Sequence, residues 1–184
     1  MARGSAVGRY NGRMADESDS LSPADLNARV KRLAGEVGFD RAAVTTAEPL
    51  GRADFLRNWL AAGHAGRMDY LARNCDSQEN PALLLPGARS VICLAVNYCD
   101  AGPDDLSPTP PGTGYVARYA RGRDYDVVLR KRAYALVDRL RAILASPWEA
   151  RVCVDTAPLL ERALAARAGL GWVGKNTMLI DPAA

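Results

Sequence analysis

Arginine and tyrosine side chains alternate within residues 118–125, whose sequence is Arg-Tyr-Ala-Arg-Gly-Arg-Asp-Tyr. Six basic and two acidic residues between Arg118 and Arg132 give this stretch a local net charge of +4. Guanidinium groups match phosphate oxygens with paired N–H donors, and tyrosine rings offer flat faces for stacking. The segment therefore favours a phosphate-bearing cofactor or an RNA strand, although a solvated basic start of a helix has the same pattern.

An acidic residue, Asp155, stands directly after the apolar run Val152-Cys153-Val154. Ligands of α/β-type proteins contact the ends of strands, and a carboxyl group at that position can donate a proton to a ligand. The alternative is that Asp155 or Thr156 only caps the helix that follows.

Three glycines lie within residues 169–174, in the sequence Gly-Leu-Gly-Trp-Val-Gly, and Lys175 and Asn176 follow them. Glycines let the backbone approach a bulky ligand closely, while the lysine adds a cation and the asparagine a hydrogen-bonding amide. The spacing differs from that of a P-loop, because asparagine follows the lysine where serine or threonine is needed. A helix end followed by a tight turn has the same pattern.

The composition is that of a globular protein, since 48% of the 184 residues are hydrophobic and 24% are charged. The formal net charge of +3 is too small to indicate a nucleic-acid partner by itself. No apolar run approaches the roughly 20 residues that span a bilayer. No secretory signal opens the sequence, so we expect no association with a membrane.

The four cysteines, Cys75, Cys93, Cys99 and Cys153, form no Cys-x-x-Cys pair, and His64 is the one histidine. Zinc and iron–sulfur sites need clustered ligands, so we expect no metal site in this chain. The cysteine density is also too low for a disulfide scaffold. Reduced thiols and a cytoplasmic location are therefore expected.

Apolar periodicity divides the chain into the elements that must position these segments. Residues 1–20, rich in Gly, Ser, Arg and Asp, predict a flexible tail before one domain over residues 21–184. Prolines and glycines in residues 100–114 predict a surface loop. Helices are predicted over 22–38, 52–62, 68–71, 125–144 and 158–168, and strands over 39–46, 89–98, 151–155 and from 178 onward.

Four segments of the sequence, in this order and spacing, resemble epoxyqueuosine reductases. They are Pro86–Ile92, Arg118–Tyr125, Val154–Arg162 and Ala166–Thr177, and the resemblance extends over about residues 25–182. It implies a cobalamin-dependent, iron–sulfur enzyme of tRNA modification. The implied substrate is tRNA that carries epoxyqueuosine at the wobble position, and the implied reaction reduces the epoxide to give queuosine.

The resemblance also implies a fold and a domain organisation. The fold is α+β, with a central, mostly antiparallel β-sheet flanked by helices, similar to the nitroreductase-like cobalamin domain of reductive dehalogenases. Residues 21–184 would be the cobalamin-binding domain of a monomer. The family's ferredoxin-like part binds two [4Fe–4S] clusters through cysteines that lie beyond residue 184. We therefore expect a truncated chain that needs an external electron donor and lacks multiple turnover by itself.

Site residues follow from the same resemblance. The aspartate of the Val-Asp-Thr-Ala-Pro motif is the family's proton donor, which gives Asp155 the catalytic role. The residues expected to bind cobalamin border the corrin ring, and no residue is expected to bind a metal. These cofactor candidates are Arg118, Tyr119, Asp155, Trp172, Lys175 and Asn176.

Two positions depart from the family pattern. Asp126 stands where relatives commonly have histidine, and Gln78-Glu79-Asn80 stands where they often have arginine. Either change is expected to weaken a contact with the cofactor or with tRNA.

Two other functions remain open from the sequence. One is a truncated, non-catalytic module that binds a corrinoid or RNA. The other is a flavin-dependent reductase of nitroreductase-like fold, which is less favoured because its dimer-forming patterns are not evident. Absorbance after incubation with hydroxocobalamin or FMN would distinguish these functions.

Overall fold

The protein combines antiparallel β-sheet with packed helices, which confirms the predicted α+β class. The structure is a computed structural model that describes residues 22–98, 110–144 and 147–181, and the backbone alone of residues 2–10. Within those residues, no helix is both long and apolar enough to cross a membrane. The same residues contain no cluster of three or more His, Cys, Asp or Glu side chains suited to a metal ion.

Four strands form the main sheet, and every neighbouring pair is antiparallel. Their spatial order is β2-β3-β1-β4, so β2 and β4 are the edge strands. A separate two-stranded hairpin, β5–β6, follows later in the chain. The strands are β1 (Ala2–Tyr10), β2 (Arg41–Thr46), β3 (Ser90–Val96), β4 (Trp148–Cys153), β5 (Trp172–Val173) and β6 (Leu179–Ile180).

The predicted tail needs correction over Ala2–Tyr10, which form β1 between β3 and β4. The prediction rested on a composition rich in glycine, serine and arginine, which has a low preference for strands. Pairing with two neighbouring strands overrides that preference, because it satisfies backbone N–H and C=O groups on both sides of the segment. Residues 11–20 of the predicted tail lie outside the described residues, as do residues 100–109 of the predicted loop.

Six α-helices lie within the described residues, and a side chain caps the N-terminus of two of them. Ser22 caps the first helix by accepting the N–H of Asp25 at 3.1 Å, as its sequence predicts. The long amphipathic helix predicted from residue 125 is confirmed, and Asp124 caps it. The helices are α1 (Pro23–Glu36), α2 (Ala53–Ala61), α3 (Asp69–Arg73), α4 (Cys75–Glu79), α5 (Tyr125–Ile143) and α6 (Glu161–Arg167).

The core has two layers because β3 is apolar on both of its faces. Val91 and Cys93 pack with Leu164 of α6 on one face. Leu94 packs with Leu136 of α5 on the other face, where α1 also contributes. Successive strand residues point to opposite faces, so an almost wholly apolar run is what a strand covered on both sides requires.

Two cysteines belong to this core rather than to a reactive site. Cys93 and Cys153 are both buried free thiols. Burial raises the pKa of Cys93 to about 12 and also raises the pKa of Cys153. Because the thiolate is the reactive form, both side chains act as small apolar residues. Cys99 lies outside the described residues.

Arg167, at the end of α6, fastens that helix to the chain that leaves β2. Its guanidinium donates to the Thr45 hydroxyl at 3.0 Å and to the carbonyl of Glu48 at 2.9 Å. It also donates to the carbonyls of Thr46 and Pro49. One side chain therefore satisfies four acceptors where the edge strand ends.

Replacement of Arg167 tests whether these hydrogen bonds stabilise the fold. We expect Arg167→Ala to lower the free energy of unfolding by about 1 to 2 kcal/mol, because charge-assisted hydrogen bonds to four acceptors are lost in an exposed position. Urea denaturation followed by circular dichroism measures the change. Arg73→Ala on α3 removes an exposed arginine that makes none of these bonds, and it should change the midpoint little. Equal losses in the two variants would contradict the assignment.

Candidate functional site

A cavity of about 640 Å³ opens where the loop after β4 meets α6, the hairpin β5–β6 and the start of α2. One side is apolar and is formed by Leu159, Val173 and Met178. The rest of the lining carries chemistry, since it comprises aromatic, acidic and basic side chains. These residues are Tyr98, Tyr119, Tyr125, Asp155, Glu161, Arg52 and Arg162.

Three tyrosines form one wall of the cavity, here called the tyrosine wall: Tyr98, Tyr119 and Tyr125. The Tyr98 and Tyr119 ring centroids are 6.2 Å apart with the planes at 68°, and those of Tyr119 and Tyr125 are 6.0 Å apart at 75°. These edge-to-face contacts are the favoured arrangement of aromatic pairs. Tyr119 is nevertheless half exposed, so its ring is accessible to a flat ligand.

A second hollow, of about 310 Å³, lies on the other side of the tyrosine wall and is called the arginine hollow here. It shares all three tyrosines with the cavity. Its basic side chains are Arg118, Arg121, Arg123 and Arg132. The alternating arginines and tyrosines of the sequence thus divide between two adjoining spaces.

The backbone at Asp155 is held in an unusual conformation. Val154 is fully buried, so the chain is fixed in the core up to the residue before the aspartate. Asp155 then has φ of +51°, and the Thr156 N–H donates to the Val154 carbonyl to close a three-residue turn. Turns of this kind are rare and strained, and strained residues concentrate at functional sites. The alternative that Asp155 or Thr156 caps the next helix is wrong, because α6 begins only at Glu161.

Asp155 and Tyr125 form a hydrogen-bonded pair at the edge of the cavity. The Tyr125 hydroxyl donates to Oδ2 of the Asp155 carboxylate. This hydrogen bond is the main reason that the pKa of Tyr125 rises to about 12, with partial burial and the charge of Asp155 adding to it. Tyr125 therefore keeps its proton at neutral pH and acts as a hydrogen-bond donor rather than a base.

Two cations line the cavity, and the fold holds both in place. Arg162 donates to the Thr177 hydroxyl at 2.9 Å and to its carbonyl, which secures the turn of the β5–β6 hairpin. Arg52 is held through its backbone, because its N–H donates to both carboxylate oxygens of Glu79 at 3.0 and 3.1 Å. Glu79 also accepts the N–H of Gly51. This carboxylate is buried, so it substitutes for an N-cap at the start of α2.

The residues that depart from the family pattern have structural partners. The Gln78 carbonyl accepts the Leu160 N–H at 3.3 Å, and Asn80 accepts the Ala82 N–H at 3.1 Å. Asp126, at the start of α5, pairs with Arg130 at 3.0 Å. None of the four departing residues, Glu79 included, lines the cavity or the arginine hollow.

The structure brings some of the predicted site residues together and leaves others apart. Tyr119 and Asp155 line the cavity, whereas Arg118 lines the arginine hollow. Trp172, Lys175 and Asn176 lie on the β5–β6 hairpin and are absent from the lining of both spaces.

Strand alternation explains the position of the hairpin residues. Val173 lines the cavity, so Trp172, its neighbour along β5, belongs to the opposite face. Asn176 instead closes the turn by accepting the N–H of Met178 at 3.1 Å. Their roles toward a cofactor remain predictions.

Three lining residues near Asp155, Tyr125, Tyr98 and Arg52, were not among the site residues predicted from sequence. Tyr125 had a signal, since it is one of the two tyrosines of the basic segment 118–125. Tyr98 lies two residues after Val96, the last residue of β3, where a strand end is expected. Arg52 had no signal, because only the tertiary fold brings it near Asp155.

Comparison with known proteins identifies the relatives of this chain. Residues 79–156 match the family described as "Epoxyqueuosine reductase QueG, DUF1730". The epoxyqueuosine reductase of Xanthomonas campestris is 43% identical over 162 residues, which cover 86% of this chain and 45% of that protein. The Pseudomonas aeruginosa enzyme is 39% identical over 170 residues, which cover 91% of this chain and 46% of that protein. The chain belongs to the epoxyqueuosine reductase family.

Solved structures of the family agree in fold. The structure of an epoxyqueuosine reductase with an epoxyqueuosine-modified tRNA-Tyr stem loop has a TM-score of 0.69 at 29% identity, covering 86% of this chain and 42% of the other. A Bacillus subtilis epoxyqueuosine reductase, described with an aspartate-containing catalytic loop swung out of the active site, has a TM-score of 0.65 at 28% identity, covering 86% and 42%. The chain spans about half the length of the curated relatives that it matches. The resemblance predicted from the four sequence segments is therefore confirmed.

The Tyr125–Asp155 pair makes a prediction about pH. The raised pKa means that the hydrogen bond is fully present below pH 10, the ordinary pKa of tyrosine, and is lost as the pH rises through about 12. In protein labelled with ¹³C at tyrosine Cζ, the Tyr125 signal should titrate at about pH 12, above the ordinary tyrosine value of about 10. Tyr125→Phe should remove that signal, and Asp155→Asn should make it titrate at lower pH because the hydrogen bond is lost.

The matched control is Tyr134→Phe, which removes an exposed ring elsewhere on α5. It should delete a different signal and leave that of Tyr125 in place. A Tyr125 signal that titrates at the same pH in Asp155→Asn would show that the aspartate is not the partner of Tyr125.

Proposed function

We propose that this chain provides the cobalamin-binding and proton-donating part of an epoxyqueuosine reductase, which reduces epoxyqueuosine in tRNA to queuosine. The observation that carries the proposal is the position of Asp155, on a strained turn at the edge of a tyrosine-walled cavity and hydrogen-bonded to Tyr125. The names of the relatives and the stem-loop structure support the substrate. The catalytic aspartate loop of the Bacillus subtilis relative supports the role of Asp155.

The proposed reaction consumes two electrons and two protons. Both carbon–oxygen bonds of the epoxide break, a carbon–carbon double bond forms, and the oxygen leaves as water. As the first carbon–oxygen bond breaks, the oxygen gains negative charge and needs a proton. The Asp155 carboxylate takes up a proton from solvent and then delivers it to that oxygen, and the second proton also comes from solvent. A positioned acid lowers the barrier because charge does not accumulate on the leaving oxygen.

The residues present fit a large, flat, phosphate-bearing cofactor such as cobalamin. The cavity and the arginine hollow, about 640 and 310 Å³, lie within the range of small-molecule and cofactor sites. Tyr119 offers a ring face, and Arg118 in the adjoining hollow suits a phosphate. Lys175, Asn176 and Trp172 on the hairpin remain candidates for the rim. Bound there, cobalamin would supply reduction at carbon through its cobalt.

The chain's own residues orient and protect the proton donor. Tyr125 holds the Asp155 carboxylate through its hydroxyl, and the buried Val154 fixes the backbone before the turn. Arg162 and Thr177 secure the hairpin that carries Val173 and Met178 into the cavity. These exposed apolar side chains give the cavity a nonpolar surface that a bound ligand can cover.

Further features belong to the proposal as a whole. In this proposal, electrons come from an external donor. A tRNA substrate places the reaction in the cytoplasm. The finer fold assignment, a likeness to nitroreductases and to the cobalamin domain of reductive dehalogenases, is part of the same proposal.

The decisive experiment compares Asp155→Asn with the unaltered chain. Each protein is incubated with hydroxocobalamin, a chemical reductant, and a tRNA-Tyr stem loop that carries epoxyqueuosine. Mass spectrometry of the digested nucleosides measures queuosine. We expect the rate with Asp155→Asn to fall by roughly 10² to 10⁴-fold, the contribution of general acid catalysis. Asparagine keeps the shape of the side chain but cannot deliver the proton, so binding of cobalamin and RNA should persist.

Asp138→Asn is the matched control, because this exposed aspartate on α5 lies outside the cavity. It should react at the unaltered rate. Equal rates for Asp155→Asn and the control would remove the catalytic role from Asp155. Binding of cobalamin without any queuosine from the unaltered chain would instead favour the non-catalytic corrinoid- or RNA-binding module.

A further inference from the structure

A groove lies between the end of α1 and one face of α5, beyond the arginine hollow. Its volume is about 750 Å³, and Val128, Lys131, Ala135 and Arg139 of α5 line it. These residues recur every three or four positions, so they form one helix face that extends over roughly 16 Å. One strand of a nucleic-acid duplex carries a charge about every 3.4 Å along its axis. The groove, here called the α5 groove, is therefore long enough for several phosphates.

The acidic groups of the α5 groove already have partners within the fold. Glu36 forms ion pairs with Arg32 and Arg139. The Asp124 carboxylate caps α5 by accepting the N–H of Asp126 at 3.0 Å. Their negative charge is thus committed to α1 and α5 and does little to repel an anionic ligand.

The basic groups of the same groove are less committed. Arg123 and Lys131 are exposed at its surface. Arg132 donates to the Gly38 carbonyl at 2.8 Å, which uses one of the five N–H donors of its guanidinium. The groove therefore presents an excess of positive charge and of N–H donors to solvent.

The α5 groove is continuous with the cavity that holds Asp155. Arg123, Val128 and Arg132 line both the groove and the arginine hollow. The arginine hollow in turn shares the tyrosine wall with the cavity. A polymer with one unit at the tyrosine wall can therefore continue past the hollow into the groove.

We propose that the α5 groove binds the sugar–phosphate backbone of the RNA whose modified nucleotide enters the cavity. The inference rests on the proposed function, and it adds the path of the strand and the side chains that bind it. Arg123 and Lys131 contact phosphates, which contributes affinity that is independent of sequence and falls with salt. Arg132 holds the strand at the junction with the arginine hollow.

Salt-dependent binding tests this path. A fluorescein-labelled, unmodified tRNA-Tyr anticodon stem loop is titrated with the full 184-residue chain, and fluorescence anisotropy is measured at several salt concentrations. The double variant Arg123→Gln with Lys131→Gln should bind roughly fivefold to thirtyfold more weakly near 0.1 M salt. The slope of the logarithm of affinity against the logarithm of salt should fall by about 1.4 to 2.

The matched control is the double variant Arg67→Gln with Arg73→Gln. It removes the same charge from exposed positions outside the cavity, the hollow and the groove. Its affinity and slope should stay close to those of the unaltered chain. Thermal melting by circular dichroism shows that each variant is folded. Lys131→Glu is a second groove variant, and reversal of the charge should weaken RNA binding more than its removal.

Three results would overturn the inference. They are equal salt slopes of RNA binding in the groove and control variants, no binding of the stem loop by the unaltered chain, and a loss of cobalamin binding in a groove variant. The last is measured by absorbance titration of Lys131→Glu with hydroxocobalamin, which this variant should bind normally because Lys131 lines the groove and neither the cavity nor the hollow. A loss of cobalamin binding there would assign the groove to the phosphate of the cofactor. Because the stem loop lacks the epoxide, RNA binding and epoxide reduction are tested separately, and either can fail alone.

Discussion

The Tyr125 hydroxyl and the Asp155 carboxylate meet where α5 begins and β4 has just ended. Both backbones are anchored close by, since Leu129 lies one helical turn after Tyr125 and is buried, and Val154 is fully buried. These buried neighbours fix the backbone beside each member of the pair, whereas the Asp155 side chain is exposed on the loop after β4. Core packing therefore sets the geometry of this pair, and the tyrosine wall and the cavity take their positions from it.

Much of this arrangement could be predicted from sequence, because local rules determine it. The N-cap at Ser22, the long amphipathic helix α5 and the apolar strand β3 follow from residue types at fixed spacing. The importance of Asp155 came from its place after an apolar run and from a family resemblance. The resemblance also gave the family, which the relatives confirm.

Other features depend on contacts that spacing does not encode. β1 has a composition typical of a tail and becomes a strand only because β3 and β4 pair with it. Arg52 reaches the cavity through the buried carboxylate of Glu79, 27 residues later in the chain. The direction of Trp172 depends on which face of a two-residue strand is turned to the cavity. In each case, tertiary contacts decide between local conformations of similar energy.

The two edge strands of the sheet bear on how this protein behaves at high concentration. Unpaired strand edges can recruit further strands and start aggregation unless charged groups interrupt them. On β4, Glu149 and Arg151 are exposed, and Arg151 bonds the Leu84 carbonyl at 2.9 Å. At the other edge, Arg41 of β2 pairs with Asp181 at 3.2 Å. Both edge strands thus carry charged side chains, which disfavour edge-to-edge pairing between molecules and keep the protein dispersed.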